Sequence, residues 1–408
     1  MKQWKKAAVA VVCAIALAGC GGGGDGSQNT GARFTQMVTF GDSLSDIGTY
    51  KVGSIAALGG GKWTVNSAIA KNWTEVVAAQ YDLPVPCPAQ TGLFPLIAGF
   101  TGAPVQNFSS CRNYAQGSAR VTSIYGPNST AVQSFVSTAT GGGAAGTAAA
   151  AAAAPLGLMA VPIVTQMNTH LANAGGSFSG SELVVVMAGG NDVFMNLNGV
   201  ASAAGGGAGA VGGAVLAGWD AATQQAVKGG GATAATAAQT AAVQGMVQAA
   251  TELAGYIKTL VVAKGAKYVS VVNLPDVSQT PYIVSLGAPT QGLVSAMVTR
   301  FNSTLETALA GTSGVLLVDA YAQGRAQYAN PALFGLSNVS APACSTTTTA
   351  NPLQGSSITC TDASAIPGDT SRYQFSDGVH LTPYGYKLLG NFVNAKMLAA
   401  GWRKDLFL

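Results

Sequence analysis

The chain has little charge, very few histidines and no cysteine pair with metal-binding spacing. Of its 408 residues, 9% are charged, two are histidine and six are cysteine. The low charge leaves no basic face for a nucleic acid, and two distant histidines without a Cys-x-x-Cys pair leave nothing with the spacing of a zinc site. With 48% hydrophobic residues, the chain can still bury one sizeable core. We therefore expect a weakly charged globular protein without a metal, a cofactor or a nucleic-acid partner.

Because the chain contains two histidines, only two side chains are candidates for a histidine base. A serine hydrolase needs a serine hydroxyl at a sharp turn, a histidine that takes its proton, a carboxylate that holds the histidine, and donors for the oxyanion. His380 follows Asp377 by three residues in a turn-prone Asp-Gly context, whereas His170 lies in a polar stretch that reads as a helix face. We expect His380 to be the base and His170 to be a plain surface or helix residue.

Four short segments, far apart in the chain, supply the groups that such an enzyme needs. They are residues 40–45 (Phe-Gly-Asp-Ser-Leu-Ser), 113–117 (Asn-Tyr-Ala-Gln-Gly), 189–192 (Gly-Gly-Asn-Asp) and 377–380 (Asp-Gly-Val-His). Each segment alone is weak evidence, and their conjunction is specific. The Gly-x-Ser-x-Gly pentapeptide of the α/β-hydrolase fold is missing from the sequence, so that fold is not favoured.

In these four segments the chain resembles the GDSL (SGNH) lipase and esterase family. The likeness runs from about residue 34 to the C terminus and is interrupted by insertions. The resemblance implies that Ser43 is the nucleophile, His380 the base and Asp377 the acid that orients the base. It also implies an oxyanion hole made of the Ser43 N–H, the Gly117 N–H and the side-chain amide of Asn191. A serine follows Gly117 where the family often has a second glycine, and we expect it to leave the Gly117 amide available.

The same resemblance implies the reaction. We expect an exported, monomeric serine esterase or lipase that hydrolyses small-molecule carboxylic esters or lipids through an acyl-Ser43 intermediate. The alternative within the family is a phospholipase A or acyltransferase whose site is gated by the loop between Cys344 and Cys360. An alternative from another class is a surface lipoprotein that binds acyl or glycan ligands without catalysis. Retention of every catalytic position argues against that last alternative.

The N terminus has the pattern of a secretion signal. Three lysines precede an apolar stretch of about 13 residues, which is too short to span a bilayer, and the stretch ends in Leu-Ala-Gly-Cys at Cys20. This box resembles a bacterial lipoprotein cleavage site, so we predict a signal peptide over residues 1–20, a lipid on Cys20 and a flexible Gly-rich tether over residues 21–33. Loss of the signal removes three lysines and no acid, which lowers the formal net charge from +4 to +1. We expect an outer-membrane-anchored envelope protein, with secretion as the alternative.

Four cysteines remain outside the signal and agree with export. Four cysteines allow three pairings, and we predict the two pairs that are closest in sequence, Cys87 with Cys111 and Cys344 with Cys360. Each bond would close a loop of a size for which chain entropy gives about 3 kcal/mol of stabilisation. Disulfides persist in oxidising compartments, which is consistent with an exported protein.

Apolar runs and helical periodicities alternate along the rest of the chain, residues 34–408. The predicted strands are 34–40, 183–188, 267–272 and 315–318, and the predicted helices are 70–81, 239–262 and 384–399. This alternation predicts an α/β domain with a central parallel sheet between helices, and the resemblance implies a flavodoxin-like three-layer sandwich. Ser43 would then lie just past the carboxyl end of the first strand. The aspartates near these turns are expected to be turn and packing partners rather than catalysts: Asp42, Asp46 and Asp192.

Two segments rich in alanine and glycine interrupt this scaffold, at about residues 137–155 and 199–237. They contain few large side chains to bury, so they are either mobile surface insertions or a lid beside the acyl pocket. Alanine favours a helix and glycine opposes it, and the sequence leaves both alternatives open.

Overall fold

A computed structural model of the protein describes residues 32–402. The predicted signal peptide, the lipidation site Cys20 and nearly all of the predicted tether lie outside the described residues, so they stay predictions. Within the described range, none of the helices combines the length and the apolar character needed to cross a membrane.

Strands and helices alternate through the described chain. The strands are β1 (Gln36–Gly41), β2 (Gln90–Leu93), β3 (Ala103–Asn107), β4 (Glu182–Met187), β5 (Tyr268–Val272), β6 (Val315–Val318), β7 (Asn338–Pro342) and β8 (Tyr373–Phe375). The helices are α1 (Gly53–Ala57), α2 (Trp73–Gln80), α3 (Thr130–Ala139), α4 (Gly143–Ala153), α5 (Ile163–Asn173), α6 (Gly190–Ala203), α7 (Gly207–Ala217), α8 (Ala221–Lys228), α9 (Gly231–Tyr256), α10 (Pro281–Ser285), α11 (Ala288–Leu309), α12 (Ala320–Ala329) and α13 (Pro383–Ala399).

The central sheet is parallel and has the order β1-β4-β5-β6. A short extended segment lies beside β1 on its outer side, because the Thr39 N–H donates to the Arg112 carbonyl and the Tyr114 N–H donates to the Thr39 carbonyl, both at 2.9 Å. If this segment is counted as the second strand along the chain, the spatial order is 2-1-3-4-5. That is the flavodoxin-like order, and the prediction of this α/β fold is confirmed.

The sheet is covered on both faces, which completes the three layers. Side chains alternate along β4: Leu183, Val185 and Met187 pack with α2 and α13, whereas Val184 and Val186 pack on the opposite face with α5, α9 and α11. Every residue of β4 is buried, as expected for a central parallel strand. The continuous apolar run in the sequence therefore reflects burial on two faces.

Helix α2 shows how local sequence sets an element boundary. It begins at Trp73 rather than at the predicted residue 70, because the Asn72 side chain accepts from the backbone at Thr74 and Glu75 and the Glu75 side chain accepts from the Asn72 N–H. This capping box satisfies N–H groups that the first turn would otherwise leave without partners. Trp73 and Val77 are fully buried on the face of α2 that meets α13.

Both Ala- and Gly-rich segments fold as helices. The first forms α4, and the second forms α7, α8 and the start of α9. Alanine side chains of the second segment are buried in the main core: Ala210, Ala214, Ala217, Ala234 and Ala238. A Cβ on Gly199 would lie 2.8 Å from the Trp219 ring, so small residues permit close approach of these helices. Each alanine buries little area, and the segment contributes to the core through close packing.

The four cysteines outside the signal form the two predicted disulfides, Cys87–Cys111 and Cys344–Cys360. The first braces the outer edge of the sheet, because the Asn113 N–H donates to the Cys87 carbonyl two residues after the bridge. The loop closed by the second disulfide contains Ser357, whose N–H donates to Asp377.

Candidate active site

Ser43, His380 and Asp377 form one hydrogen-bonded chain. The Ser43 Oγ lies 2.9 Å from the His380 Nε2, and the His380 Nδ1 lies 2.8 Å from the Asp377 Oδ2 and 2.9 Å from its Oδ1. Ser43 follows β1, whereas the other two residues share the loop between β8 and α13. The structure therefore brings Ser43 together with two residues that lie more than 330 positions later in the sequence. Each distance lies within the range of a hydrogen bond.

The Asp377 carboxylate is fixed on both oxygens. Its Oδ1 accepts from the N–H groups of Val379 and His380 at 2.9 and 2.8 Å, and its Oδ2 accepts from the Ser357 N–H at 3.0 Å. Burial opposes ionisation of this carboxyl, but the adjacent His380 and these donors outweigh burial and hold its pKa well below the usual range. Asp377 is therefore an ionised acceptor for the Nδ1–H of His380 throughout the neutral range.

The turn that carries Ser43 is held by polar side chains. The Gln166 side chain accepts from the Gly41 N–H at 3.0 Å and donates to the Gly41 carbonyl at 2.9 Å, which fixes the end of β1. The Asp42 Oδ1 accepts from the Leu44 N–H, and burial raises the pKa of Asp42 to about 6. Ser43 therefore sits on an anchored turn at the carboxyl end of a strand, where open α/β sheets place their sites.

Asn191 reaches the same place from the neighbouring strand β4. Gly189 has φ 113°, and a Cβ there would lie 2.6 Å from the Phe301 ring, so this turn requires glycine. The Asn191 Nδ2 donates to the Ala119 carbonyl at 3.0 Å, which leaves its second N–H for a ligand. Asn191 lines the pocket beside Ser43, at the position that the sequence predicts.

The Gly117 amide differs from expectation. The Gly117 N–H donates to the buried Asp46 Oδ2 at 2.9 Å, and Gly117 does not line the pocket. Ser118 does line the pocket, has the left-handed φ of 67°, and its N–H meets no acceptor within residues 32–402. The Ser43 N–H is likewise without a protein acceptor in that range. The pocket-lining residue with an uncommitted backbone N–H is thus Ser118, one residue later than the sequence suggests.

The three turn aspartates have the packing contacts expected of them. Asp46 also accepts from the N–H groups of Gly48 and Thr49, and Asp192 accepts from the Arg120 Nε at 2.9 Å and from the Val121 N–H. These bonds tie the loops after β1 and β4 to the segment that follows residue 117.

The catalytic groups open onto a pocket of about 680 Å³, a size typical of small-molecule sites. Its apolar wall includes Leu156, Phe194, Leu197, Tyr282, Tyr328 and Leu353. Among residues 32–402, the acidic and basic side chains that line it, besides His380, are three aspartates: Asp42, Asp276 and Asp377. Asp276 is paired with the Arg325 Nη1 at 2.8 Å. No residue of the two Ala- and Gly-rich segments belongs to the lining.

Trp63 is a site residue that sequence reasoning missed. Its ring lies over the His380 imidazole with centroids 4.8 Å apart and planes inclined by 30°. The surrounding sequence is rich in glycine and polar residues and gives no motif that would assign Trp63 to the site. Ser357, whose N–H donates to Asp377, was missed for the same reason.

His170 corrects one expectation. It lies on helix α5, as predicted, but it is fully buried rather than on the surface. Its ring contacts Phe40, Tyr114 and Phe178 with centroid distances of 5.8, 5.4 and 4.4 Å. The spacing of Ile163, Met167 and His170 on one face of α5 was the overlooked signal.

Burial of His170 makes stability depend on pH. Burial lowers the pKa of His170 from 6.5 to about 4. Between about pH 4 and pH 6.5, His170 is mostly protonated in the unfolded chain and mostly neutral in the folded chain. His170 therefore does not lower the free energy of unfolding above about pH 6.5. As the pH drops towards 4 the free energy of unfolding falls, and the loss is about 2 kcal/mol at pH 5.

We expect His170→Phe to remove this part of the pH dependence. Denaturant unfolding at about pH 5 and pH 7.5 measures it, with Thr169→Ala on the exposed side of the same helix as control. The control should keep the loss at low pH. Equal pH dependence in all three proteins would show that His170 is not the responsible group.

Among residues 32–402, no group of three or more histidine, cysteine, aspartate or glutamate side chains could hold a metal ion. The arrangement can instead activate a serine hydroxyl and stabilise an oxyanion, both with side-chain and backbone groups of the protein.

Two comparisons with known proteins bear on this site. A family model described as GDSL-like Lipase/Acylhydrolase matches residues 37–393, which is most of the chain and includes every site residue above. A search of curated proteins found no match.

Proposed function

The chain belongs to the GDSL-like lipase/acylhydrolase family, and from this premise we propose that it hydrolyses uncharged carboxylic esters through an acyl-Ser43 intermediate. The family places it among the esterase- and lipase-type hydrolases. The observation that carries this proposal is the hydrogen-bonded series Ser43–His380–Asp377, which faces a pocket whose lining, within residues 32–402, includes no lysine or arginine.

In the proposed acylation step, the Ser43 Oγ attacks the ester carbonyl carbon while the His380 Nε2 takes the hydroxyl proton. Asp377 stabilises the imidazolium that forms. The tetrahedral intermediate collapses, the bond to the alcohol oxygen breaks, and the alcohol leaves with the proton from Nε2. A water molecule then attacks the acyl-enzyme with His380 again as base, which releases the acid and restores the Ser43 hydroxyl.

The oxyanion is held by three donors in this proposal: the N–H groups of Ser43 and Ser118 and the Asn191 side chain. Ser118 replaces the Gly117 of the sequence-based prediction, because the Gly117 N–H is committed to Asp46. A buried N–H that already donates to a carboxylate is a poor donor to a second anion.

We expect Asn191→Ala to lower kcat by on the order of 10² to 10³, as for other oxyanion donors. The KM should change little, because the lost bond is stronger in the transition state than in the bound substrate. Steady-state kinetics on a p-nitrophenyl ester measure both constants. Asn198→Ala, further along α6 and also in the pocket wall, is the matched control. A loss below about tenfold would remove Asn191 from the oxyanion hole.

The electrostatics of the pocket favour neutral substrates over phospholipids. The lining residues within the described chain include no lysine or arginine, so a phosphate group would meet aspartates and no counterion. Like charges brought together in this way cost several kcal/mol. This favours carboxylesterase or lipase activity over the phospholipase and acyltransferase alternative.

Two lipids that differ only in a phosphate group test whether the enzyme prefers neutral esters to phospholipids. We expect a diacylglycerol to be hydrolysed on the order of 10²-fold faster than the phosphatidate with the same acyl chains, and p-nitrophenyl esters from C2 to C16 to define the preferred chain length. Equal rates on the two lipids would contradict the neutral-ester proposal and support a phospholipase. Absence of any turnover in folded protein would favour the ligand-binding alternative.

We further propose that the enzyme works outside the cytoplasm as an envelope lipoprotein. The two disulfides support this, since such bonds persist in oxidising compartments. Fatty-acid labelling that survives Cys20→Ala would contradict the lipid anchor.

A further inference from the structure

We propose that Trp63 is a positioning residue that holds the His380 ring and supports its protonated form, and that residue 117 is glycine because it seats the Trp63 indole. This inference rests on the proposed function, because it assigns His380 the role of catalytic base. It concerns two residues that act through His380 and not on the substrate directly.

The indole is in contact with both partners. Its ring centroid is 4.8 Å from that of His380. A Cβ on Gly117 would lie 2.5 Å from the Trp63 Cζ2 and 2.6 Å from its Cε2 and Nε1. No real Cβ tolerates such distances to a ring, so any side chain at residue 117 forces the indole to move. The Gly117 backbone is itself anchored, because the Tyr50 hydroxyl donates to its carbonyl at 2.9 Å.

The segment that contains Trp63 is hydrogen-bonded to the loop that carries Asp377 and His380. The Thr64 hydroxyl donates to the Leu381 carbonyl at 2.9 Å, and the Val65 N–H donates to the Ser376 Oγ at 3.1 Å. These acceptors flank Asp377 and His380 in the sequence. Trp63 therefore belongs to the same rigid unit as the base, and its indole limits rotation of the imidazole out of the line between Ser43 and Asp377.

An aromatic face also stabilises an adjacent cation, and His380 becomes a cation during each proposed acylation. Two other charged groups act on the same ring. Asp377 faces its Nδ1, and the buried Asp42, in the turn after β1, attracts it electrostatically. These carboxylates are unchanged by substitutions at residues 63 and 117. A shift seen in such variants therefore reports the indole.

The test compares Trp63→Leu, Trp63→Phe and Gly117→Ala with Trp402→Phe, a control that packs on Tyr268 away from the site. We expect Trp63→Leu and Gly117→Ala to lower kcat about tenfold with little change in KM. The acid limb of the kcat profile should move to lower pH by about half to one unit, because the cation loses its aromatic neighbour. Trp63→Phe should restore most of both effects.

Tryptophan fluorescence tests the contact between Trp63 and His380 independently of ester hydrolysis. A protonated imidazole in contact with an indole quenches its fluorescence, so acidification should quench the wild-type emission in a step that is lost in Trp63→Phe and in His380→Gln. This step needs no turnover, and it is expected even if the protein hydrolyses no ester. Unchanged kcat and acid limb in Trp63→Leu, or a loss confined to KM, would overturn the proposal and leave Trp63 as a wall of the pocket. If Trp63→Leu fails to fold, the Gly117→Ala variant and the quenching step decide.

Discussion

Ser43→Ala is expected to lower kcat on a p-nitrophenyl ester by on the order of 10⁶, the loss that accompanies removal of the nucleophile in other serine hydrolases. The Ser43 Oγ is the hydroxyl that contacts the His380 Nε2, at 2.9 Å. With alanine at this position the base has no protein nucleophile to activate. Residual turnover would come from the oxyanion donors and a water molecule, which together give a small fraction of the rate.

A second pocket serine provides the matched control. Ser118→Gly removes the Ser118 hydroxyl, retains the N–H, and suits the positive φ of that position. We expect it to keep kcat within a few-fold of wild type. In parallel, a fluorophosphonate probe should label Ser43 alone in both the wild type and Ser118→Gly, as mapped by mass spectrometry. Labelling at another residue, or more than about 1% residual turnover in Ser43→Ala, would contradict the assignment.

The sequence was informative wherever function and local structure share one short segment. β4 was predictable because a parallel strand buried on two faces leaves a continuous apolar run, and β1 because its segment is rich in apolar and β-branched residues. Asp377 and His380 were predictable because both lie in one turn, so their spacing survives in the sequence. Ser43 and Asn191 follow strands that end at the same edge of the sheet, which makes their meeting a consequence of the fold.

Contacts between distant segments could not be predicted in this way. Whether the N–H of residue 117 or 118 faces the nucleophile depends on Asp46, whose carboxylate binds the Gly117 N–H from another loop. Trp63 and Ser357 reach the triad through tertiary contacts alone. No local pattern in their own segments indicates that they approach His380 and Asp377.

The bounds of helix α9 differ from those predicted from the sequence. The long helix predicted at 239–262 begins earlier, at Gly231, because alanines of the Ala- and Gly-rich segment pack into the core and extend it. Its regular α-helical part ends at Tyr256, after which the chain continues as a π-helical turn over Ile257–Val261. Tertiary packing, and not the propensity of the residues, decided where this helix begins.

Replacing the acid of the triad, in Asp377→Asn, should lower kcat by on the order of 10⁴ with a small change in KM. Asparagine has nearly the shape of aspartate but only one acceptor oxygen. The position of Oδ1 receives N–H donors from both Val379 and His380, whereas the position of Oδ2 receives one, from Ser357. The amide oxygen is therefore expected at the first position and the NH₂ group at the second.

That orientation places a donor 2.8 Å from the His380 Nδ1, whereas the amide oxygen, 2.9 Å from the same atom, is already shared by two backbone N–H donors. The imidazole then accepts at Nδ1 and carries its proton on Nε2, so it donates to the Ser43 hydroxyl and cannot take its proton. Ser357→Ala, which keeps the backbone N–H, and the exposed Asp369→Asn serve as controls and should retain nearly full activity. A loss below about tenfold in Asp377→Asn would mean that His380 keeps the productive tautomer without the carboxylate. A large loss with unchanged thermal stability would instead assign the effect to the proton on Nε2, because the fold would be intact while the base faces the nucleophile in the wrong protonation state.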